Sequence, residues 1–265
     1  VVGVDALGAE VARLVLGHGD DPTALLAARG WQVRLARDVV SSMVEKPVLT
    51  MTFVVEPVAP ALLAPAPLAP APLALAPLEP GGPPPRDQDL AVAEGEIPER
   101  YQRVAAYAFV TSPRGVLMTQ FSDKTNAPGQ WGLPGGGLEA GEAPERAVVR
   151  EVWEESGQLI LVSGLALVHT SHWVGRAPAG RLEDFHAVRV VYRASCLVPL
   201  QPVVHDVGGT TAAAAWVPQA DLDRLEVTPG WRTLLSAVVI APDEADGPEH
   251  HEQGTDADDR ARPHP

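Results

Sequence analysis

The sequence predicts an α+β fold, and three observations carry that prediction. A helical stretch at 143–156 is opened by the acidic, proline-bearing Glu142-Ala143-Pro144 and stopped by Gly157. Apolar strand-like runs flank it at 104–111, 116–121, 161–170 and 186–198. A proline-rich stretch at 57–98 sets a small segment, 1–56, apart from this larger unit, and an acidic tail follows at 241–265. The expected organisation is therefore a helix/strand segment at 1–56, a linker at 57–98, the main domain at 99–240 and a disordered tail at 241–265.

Within 1–56, residues 4–16 have helical periodicity, and Asp21-Pro22 opens a second helix that ends at Gly30. Residues 31–36 and 48–55 alternate as strands do. This segment offers no chemistry, and His18 between two glycines reads as a loop residue. In the linker, proline recurs every two to five residues, which favours an extended polyproline II chain. Its uncharged length would span a bilayer by count alone. The prolines rule out the helix such a span would need. No charged start with an apolar core marks the N-terminus as an export signal.

In the main domain, Ser112-Pro113-Arg114-Gly115 joins two apolar runs as a hairpin. Ala214, Trp216 and Val217 belong to a last strand, 221–225 forms a short helix, and 231–240 is helical after Pro229. A polar loop at 175–184 connects two further strands and is long for a hairpin. The tail holds acidic residues and almost no large apolar ones, so it cannot bury a core.

Composition bounds the function. The chain has 265 residues, 46% of them hydrophobic, enough for one large or two small domains. A formal charge of -14 excludes the basic footprint of a nucleic-acid-binding surface. Cys196 is the single cysteine, which leaves no intrachain disulfide and points to a reducing, cytoplasmic compartment; it reads as a small core residue.

The chemistry concentrates at 136–158. At about 100° per residue, Glu151, Glu154 and Glu155 share one helix face, while Val149, Val152 and Trp153 lie on the other side, ready to dock on a sheet. Like charges at these spacings cost a few tenths of a kcal/mol per pair, and they oppose the helix dipole near its C-terminal end. The arrangement makes sense with a cation between them. The residues read Gly136, five residues, Glu142, seven residues, then Arg150-Glu151-Val152-Trp153-Glu154-Glu155-Ser156-Gly157. This segment resembles the Nudix box, and the chain over 103–239 resembles the Nudix hydrolases, which cleave nucleoside diphosphates linked to another moiety. One position departs: Gln158 stands where the family has an aliphatic residue, with Leu159 and Ile160 next in line as a shifted anchor.

The resemblance implies a mixed sheet sandwiched between helices. It implies a hydrolase that cleaves a phosphoanhydride bond in a nucleoside diphosphate derivative or a nucleoside triphosphate, with a catalytically silent nucleotide sensor as the alternative. Such a reaction needs hard divalent cations on oxygen ligands, Mg²⁺ first and Mn²⁺ as an alternative. Glu151 and Glu155, about 40° apart and one turn along the helix, are the first expected ligands. Glu154 is the third, and a carbonyl of the glycine turn at Gly136 completes the set by resemblance. Glu151 is also the expected general base, with Arg150 holding a glutamate by a charge-assisted pair and Glu154 assisting. Trp131 is a candidate to stack on a base or to brace its loop, Arg176 or Arg181 to meet a terminal phosphate or ribose, and Asp184, a further candidate to bind substrate, or His186 to supply a further metal ligand or base. The partner is a small nucleotide; no nucleic acid or membrane is expected, and a homodimer is left open.

Overall fold

The computed structural model describes residues 1–43, 47–58, 84–87 and 90–240. Most of the expected linker and the whole expected tail lie outside the described residues. The elements are β1 (Val2–Val4), β2 (Glu10–Arg13), α1 (Pro22–Ala27), β3 (Trp31–Met43), β4 (Pro47–Pro57), β5 (Glu99–Ser112), β6 (Gly115–Phe121), β7 (Trp131–Gly132), β8 (Gly135–Gly137), α2 (Pro144–Ser156), β9 (Leu161–Arg176), β10 (Leu182–Ser195), β11 (Thr211–Val217) and α3 (Pro229–Ile240). A 3₁₀ turn at Gln219–Arg224 stands where the short helix was expected.

The N-terminal segment departs from its reading. Residues 4–16 form no helix but β1 and β2, paired antiparallel, and the segment closes as a four-stranded sheet in the order β2-β1-β4-β3. The turn between them is built by Asp5, whose carboxylate accepts from the amides of Leu7 and Ala9, and by Gly8 at φ 87°. Those local bonds compete with a helix in a segment too short to hold one by propensity. The second helix forms as expected: Asp21 caps α1 by accepting from the amides of Thr23 and Ala24.

The main sheet has seven strands, with the order β11-β6-β5-β10-β9 and with β7 on β6 and β8 on β5. Its β5–β10 pair is parallel and its other pairs antiparallel, which makes it the expected mixed sheet. The hairpin at 112–115 pairs β5 with β6 only at Thr111–Val116 and Ser112–Gly115. Beyond that the two strands part, and the segment carrying β7 and β8 enters between them.

Helices cover both faces. One face packs Ala106, Ala108, Val110, Val188 and Val190 against Ala147, Val148 and Val152 of α2, and the same cluster takes in Met51, Phe53 and Val55 of β4. The other face packs Phe109, Met118 and Val191 against Trp231, Leu234 and Val238 of α3. Of the expected docking set Val152 is buried, joined by Ala147 and Val148, whereas Val149 and Trp153 point outward and Trp153 is 45% exposed. Trp153 instead stacks on His205, ring centres 4.5 Å apart.

The loop at 175–184 is shorter than its polarity implied. β9 and β10 run on through it, pairing Arg176 with Leu182, Gly175 with Glu183 and Val174 with Asp184. Pro85 and Asp87 extend that ribbon, exchanging backbone hydrogen bonds with Val174 at 2.8 and 3.0 Å.

Gly115 holds the hairpin corner at φ 114°, with its Cα facing the Val217 carbonyl: a Cβ there would lie 2.2 Å from that oxygen. Both backbone conformation and space require glycine. Gly115→Ala should therefore destabilise the protein by about 2 kcal/mol or more, read as a lower urea midpoint at unchanged m-value.

Candidate active site

α2 begins at Pro144 and ends at Gly157, whose left-handed φ of 67° turns the chain and whose amide donates to the Trp153 carbonyl at 2.8 Å. The last carbonyls of the helix are taken by a crossing segment: His205 and Asp206 donate to Glu154 O at 2.7 and 3.0 Å, and Val203 donates to Ser156 O at 2.9 Å. Gln158, the position that departs from the box pattern, is 2% exposed. Its side chain accepts from Leu200 N at 2.9 Å and donates to Ser156 O at 3.0 Å. Of the two residues expected as a shifted anchor, Leu159 is 77% exposed, whereas Ile160 packs against the α2-side core. A satisfied amide does the anchoring that an apolar side chain would otherwise do.

The glycine strand β8 lies antiparallel to β5, with Gly135, Gly136 and Gly137 opposite Tyr107, Ala106 and Ala105. It leaves no room for side chains. A Cβ on Gly135 would sit 2.2 Å from the Ala106 carbonyl oxygen, and one on Gly136 would sit 2.5 Å from Glu151 Oε1 and 2.6 Å from Oε2. The bare backbone lets the Glu151 carboxylate lie directly on the strand.

Glu155 is the most buried of the three helix carboxylates at 7% exposed. It accepts from Gly135 N at 2.9 Å and from Thr211 Oγ1 at 2.5 Å. Burial pushes its carboxyl up to about 7, against the lowering by those two hydrogen bonds. Burial likewise raises Glu151, although Arg150 works the other way. Glu154 sits at the open side of the helix.

Arg150 ties the carboxylates together. It grips Glu142 with Nε to Oε1 at 2.9 Å and Nη2 to Oε2 at 2.8 Å, a bidentate pair. Its Nη1 donates to Glu151 Oε1 at 3.0 Å and to Glu154 Oε2 at 3.2 Å, and Nη2 also reaches the Gly137 carbonyl at 3.2 Å. The hydrogen bonds from Arg150 hold Glu142 below the usual carboxylate range. Glu151, Glu154, Glu155, Arg150 and Gly136 are thus brought together in one place.

The remaining candidates lie apart from it. Trp131 packs on the α3-side core, with its amide donating to Glu226 O at 2.8 Å. Arg181 pairs with Glu183 and, at 3.4 Å, with Glu99. Asp184 lies against His172 and His18. A cleft of about 240 Å³ opens beside the box, lined by Arg103, Lys124, Asn126, Trp173, Arg176, Glu183, Phe185 and Thr210 among others. Two residues link it to the carboxylates: the Arg103 guanidinium lies 3.0 Å from where a Gly137 Cβ would be, and Thr210 precedes the Thr211 that binds Glu155. Trp173 and Phe185 stack in its wall with ring centres 4.6 Å apart. Reading the sequence missed Arg103, Trp173 and Thr211; the strand register that brings them here has no local signature.

The NUDIX domain profile matches residues 101–237. The chain belongs to the Nudix family. Among curated Nudix proteins it is 29% identical over 128 residues to the nucleoside triphosphatase NudI of Klebsiella pneumoniae (strain 342), covering 46% of this chain and 84% of that one. To NudI of Escherichia coli O139:H28 it is 36% identical over 63 residues, 23% of this chain and 45% of that relative. Among solved structures it is similar to a MutT NUDIX hydrolase from Burkholderia pseudomallei, at 28% identity and a TM-score of 0.41, covering 52% of this chain and 98% of the other. With every charged residue of the Nudix box in place, the chain is a Nudix-type pyrophosphohydrolase. No helix among the described residues is long and apolar enough to cross a membrane.

The raised carboxyl of Glu155 has a thermodynamic sign. The folded state holds its proton more tightly than the unfolded chain does, so the stability that Glu155 contributes in metal-free protein is fully present below about 4.5 and is lost as pH rises through about 7, opposite in sign to the contribution of Glu142. The loss should reach about 3 kcal/mol. Denaturant titrations of EDTA-treated protein from about pH 4 to about pH 8 check this, and Glu155→Gln should flatten the profile.

Proposed function

We propose that the protein hydrolyses a phosphoanhydride bond of a nucleoside triphosphate or nucleoside diphosphate derivative, with Mg²⁺ as its working ion and Mn²⁺ as a substitute, in the reducing cytoplasm. The observation that carries this reading is the packing of Glu151 and Glu155 on the bare strand at Gly135 and Gly136, with Glu154 joined to them through Arg150, next to a cleft with cationic and aromatic walls.

The residues fit a hard cation. Their donors are all oxygens: the carboxylates of Glu151, Glu155 and Glu154 and a backbone carbonyl of the glycine strand. Burial raises Glu151 in spite of its pair with Arg150, and raises Glu155, which is the electrostatic state a divalent ion would relieve. When bound, the ion supplies neutralisation of phosphate charge and lowers the pKa of coordinated water. Glu151 accepts the proton of the attacking water, its basicity strengthened by burial. Arg150 keeps Glu151 and Glu154 from rotating away, anchored itself by Glu142. Arg103 and Lys124 face the substrate phosphates, and the Trp173–Phe185 pair offers an apolar wall to the base. The names of the NudI relatives support a triphosphate as the first substrate to try.

A panel of nucleoside triphosphates, dinucleoside polyphosphates, ADP-ribose and nucleotide sugars, with Mg²⁺ and a phosphate or pyrophosphate readout, tests the reading. Glu151→Gln should lower kcat by about 10²-fold or more while the protein stays folded. Arg103→Ala should raise KM about tenfold with a smaller change in kcat. Binding without turnover of any panel member would leave a nucleotide sensor in place of an enzyme.

A further inference from the structure

We propose that His18, His172, His186 and Asp184 form a second metal site, separate from the Nudix carboxylates, that takes a zinc-class ion and fastens the N-terminal segment to the β9–β10 ribbon. His172 and His186 face each other directly across the antiparallel pair, and Asp184 lies opposite Val174, two residues further along each strand. Side chains at alternate positions share a face, so Asp184 and His186 point together, whereas Glu183 and Phe185 line the nucleotide cleft on the other face.

The ligand atoms converge. One nitrogen each from His18 and His172 and one oxygen of Asp184 lie within 4.8 Å of one another. His172 Nε2 and His18 Nε2 approach the same Asp184 Oδ1, at 2.5 and 3.2 Å. The ring centres of the three histidines are 5.1, 5.6 and 6.0 Å apart. Imidazoles sharing one tetrahedral ion, with Zn–N near 2.0 Å, place their ring centres roughly 5 Å apart, a spacing that the His18–His172 pair meets and that the His186 ring, at 5.6 and 6.0 Å, approaches as the fourth ligand.

The cluster does not satisfy itself without an ion. His186 is 0% exposed, and its ring nitrogens meet no well-aligned hydrogen-bond partner, the nearest being the Asp20 backbone; His18 Nε2 is buried and reaches Asp184 Oδ1 at 3.2 Å without good hydrogen-bond alignment. Buried unsatisfied groups of this kind carry a desolvation penalty that a bound ion would remove at one nitrogen of each ring. The donor set selects the ion. Imidazole nitrogens suit zinc and its transition-metal neighbours, whereas Mg²⁺ prefers oxygen and belongs to the glutamates.

The loop bearing His18 is shaped for this place. Gly19, at φ 83°, lies so close over His172 that a Cβ would be 2.6 Å from its Nδ1. Asp20 accepts from Gly17 N at 2.8 Å, which closes the loop on itself, and Asp21 accepts from Thr170 Oγ1 at 2.7 Å, which ties its far end to β9.

The test uses the full chain, stripped with EDTA, exposed to Zn²⁺ or Co²⁺ and dialysed in Mg²⁺ buffer. Metal analysis should find about one zinc per chain, zinc added in Mg²⁺ buffer should raise Tm by several degrees beyond the value in Mg²⁺ alone, and the cobalt form should show the visible absorption of a four-coordinate site. His18→Ala should lose the zinc and the Tm increment while retaining Mg²⁺-dependent hydrolysis; Glu155→Gln should keep the zinc. Should His18→Ala fail to fold, the zinc-dependent Tm of the unaltered chain and the zinc content of Glu155→Gln still decide. No retained zinc in the unaltered chain, or zinc lost from Glu155→Gln and kept by His18→Ala, overturns the site. A cobalt spectrum unchanged by His186→Ala overturns its four-ligand form.

Discussion

The candidate active site depends on one steric fact: two successive glycines bring bare backbone between a strand and a helix. At Gly135 the main chain approaches β5 so closely that any Cβ would overlap the Ala106 carbonyl, and at Gly136 the space a methyl would fill holds the Glu151 carboxylate. The amide of Gly135 then donates to Glu155, so the same strand that pairs with β5 on one side receives the helix on the other. Without side chains, a short strand orients two carboxylates that a helix surface alone would leave to rotate in solvent. The contact between α2 and the sheet is therefore set by backbone, and the position of the acids follows from it.

That arrangement is electrostatically expensive, and the protein offsets only part of the cost. Exposed like-charge pairs on a helix lose a few tenths of a kcal/mol each, but burial of a carboxylate costs several times more, enough to raise Glu155 to about 7. Arg150 is the one guanidinium bonded to Glu142, Glu151 and Glu154, and its strongest grip is on Glu142, which lies outside the helix. It acts as a strut between the loop and the helix more than as a neutraliser, because Glu155 receives no hydrogen bond from it and relies on Gly135 and Thr211. The residual negative potential is what a cationic partner would relieve.

Much of this was legible in the sequence, and the limits are physical. The helix bounds at Pro144 and Gly157, the hairpin at 112–115 and the joint placement of Glu151, Glu154 and Glu155 follow from local rules of turn and period. What failed locally was the N-terminal stretch, where valines and leucines spaced like a helix face turned out to be two short strands joined by the Asp5 turn. Non-local facts were invisible altogether. The burial of Glu155 depends on Thr211, 56 residues away, and the cleft depends on the register that sets Arg103 beside Ala187. Trp153 reads as a docking residue by its chemistry alone, yet it faces outward because α2 spends its inward positions on Ala147, Val148 and Val152.

The alternation of β5 and β10 also divides the labour of the molecule. Odd-numbered positions, Arg103, Glu183 and Phe185, face the cleft. Even-numbered positions, Ala106, Val188 and Val190, enter the cluster shared with α2 and with Phe53 of the N-terminal sheet. A one-residue slip in this parallel register would exchange the two sets, putting charge into the core and valines into the cleft. The hydrophobic burial supplied by the N-terminal sheet works against such a slip, because it rewards only the register in which the apolar set points toward it. On this view the small sheet contributes to the chemistry without touching it: by holding one face of the central strands in place, it fixes which residues the opposite face can offer.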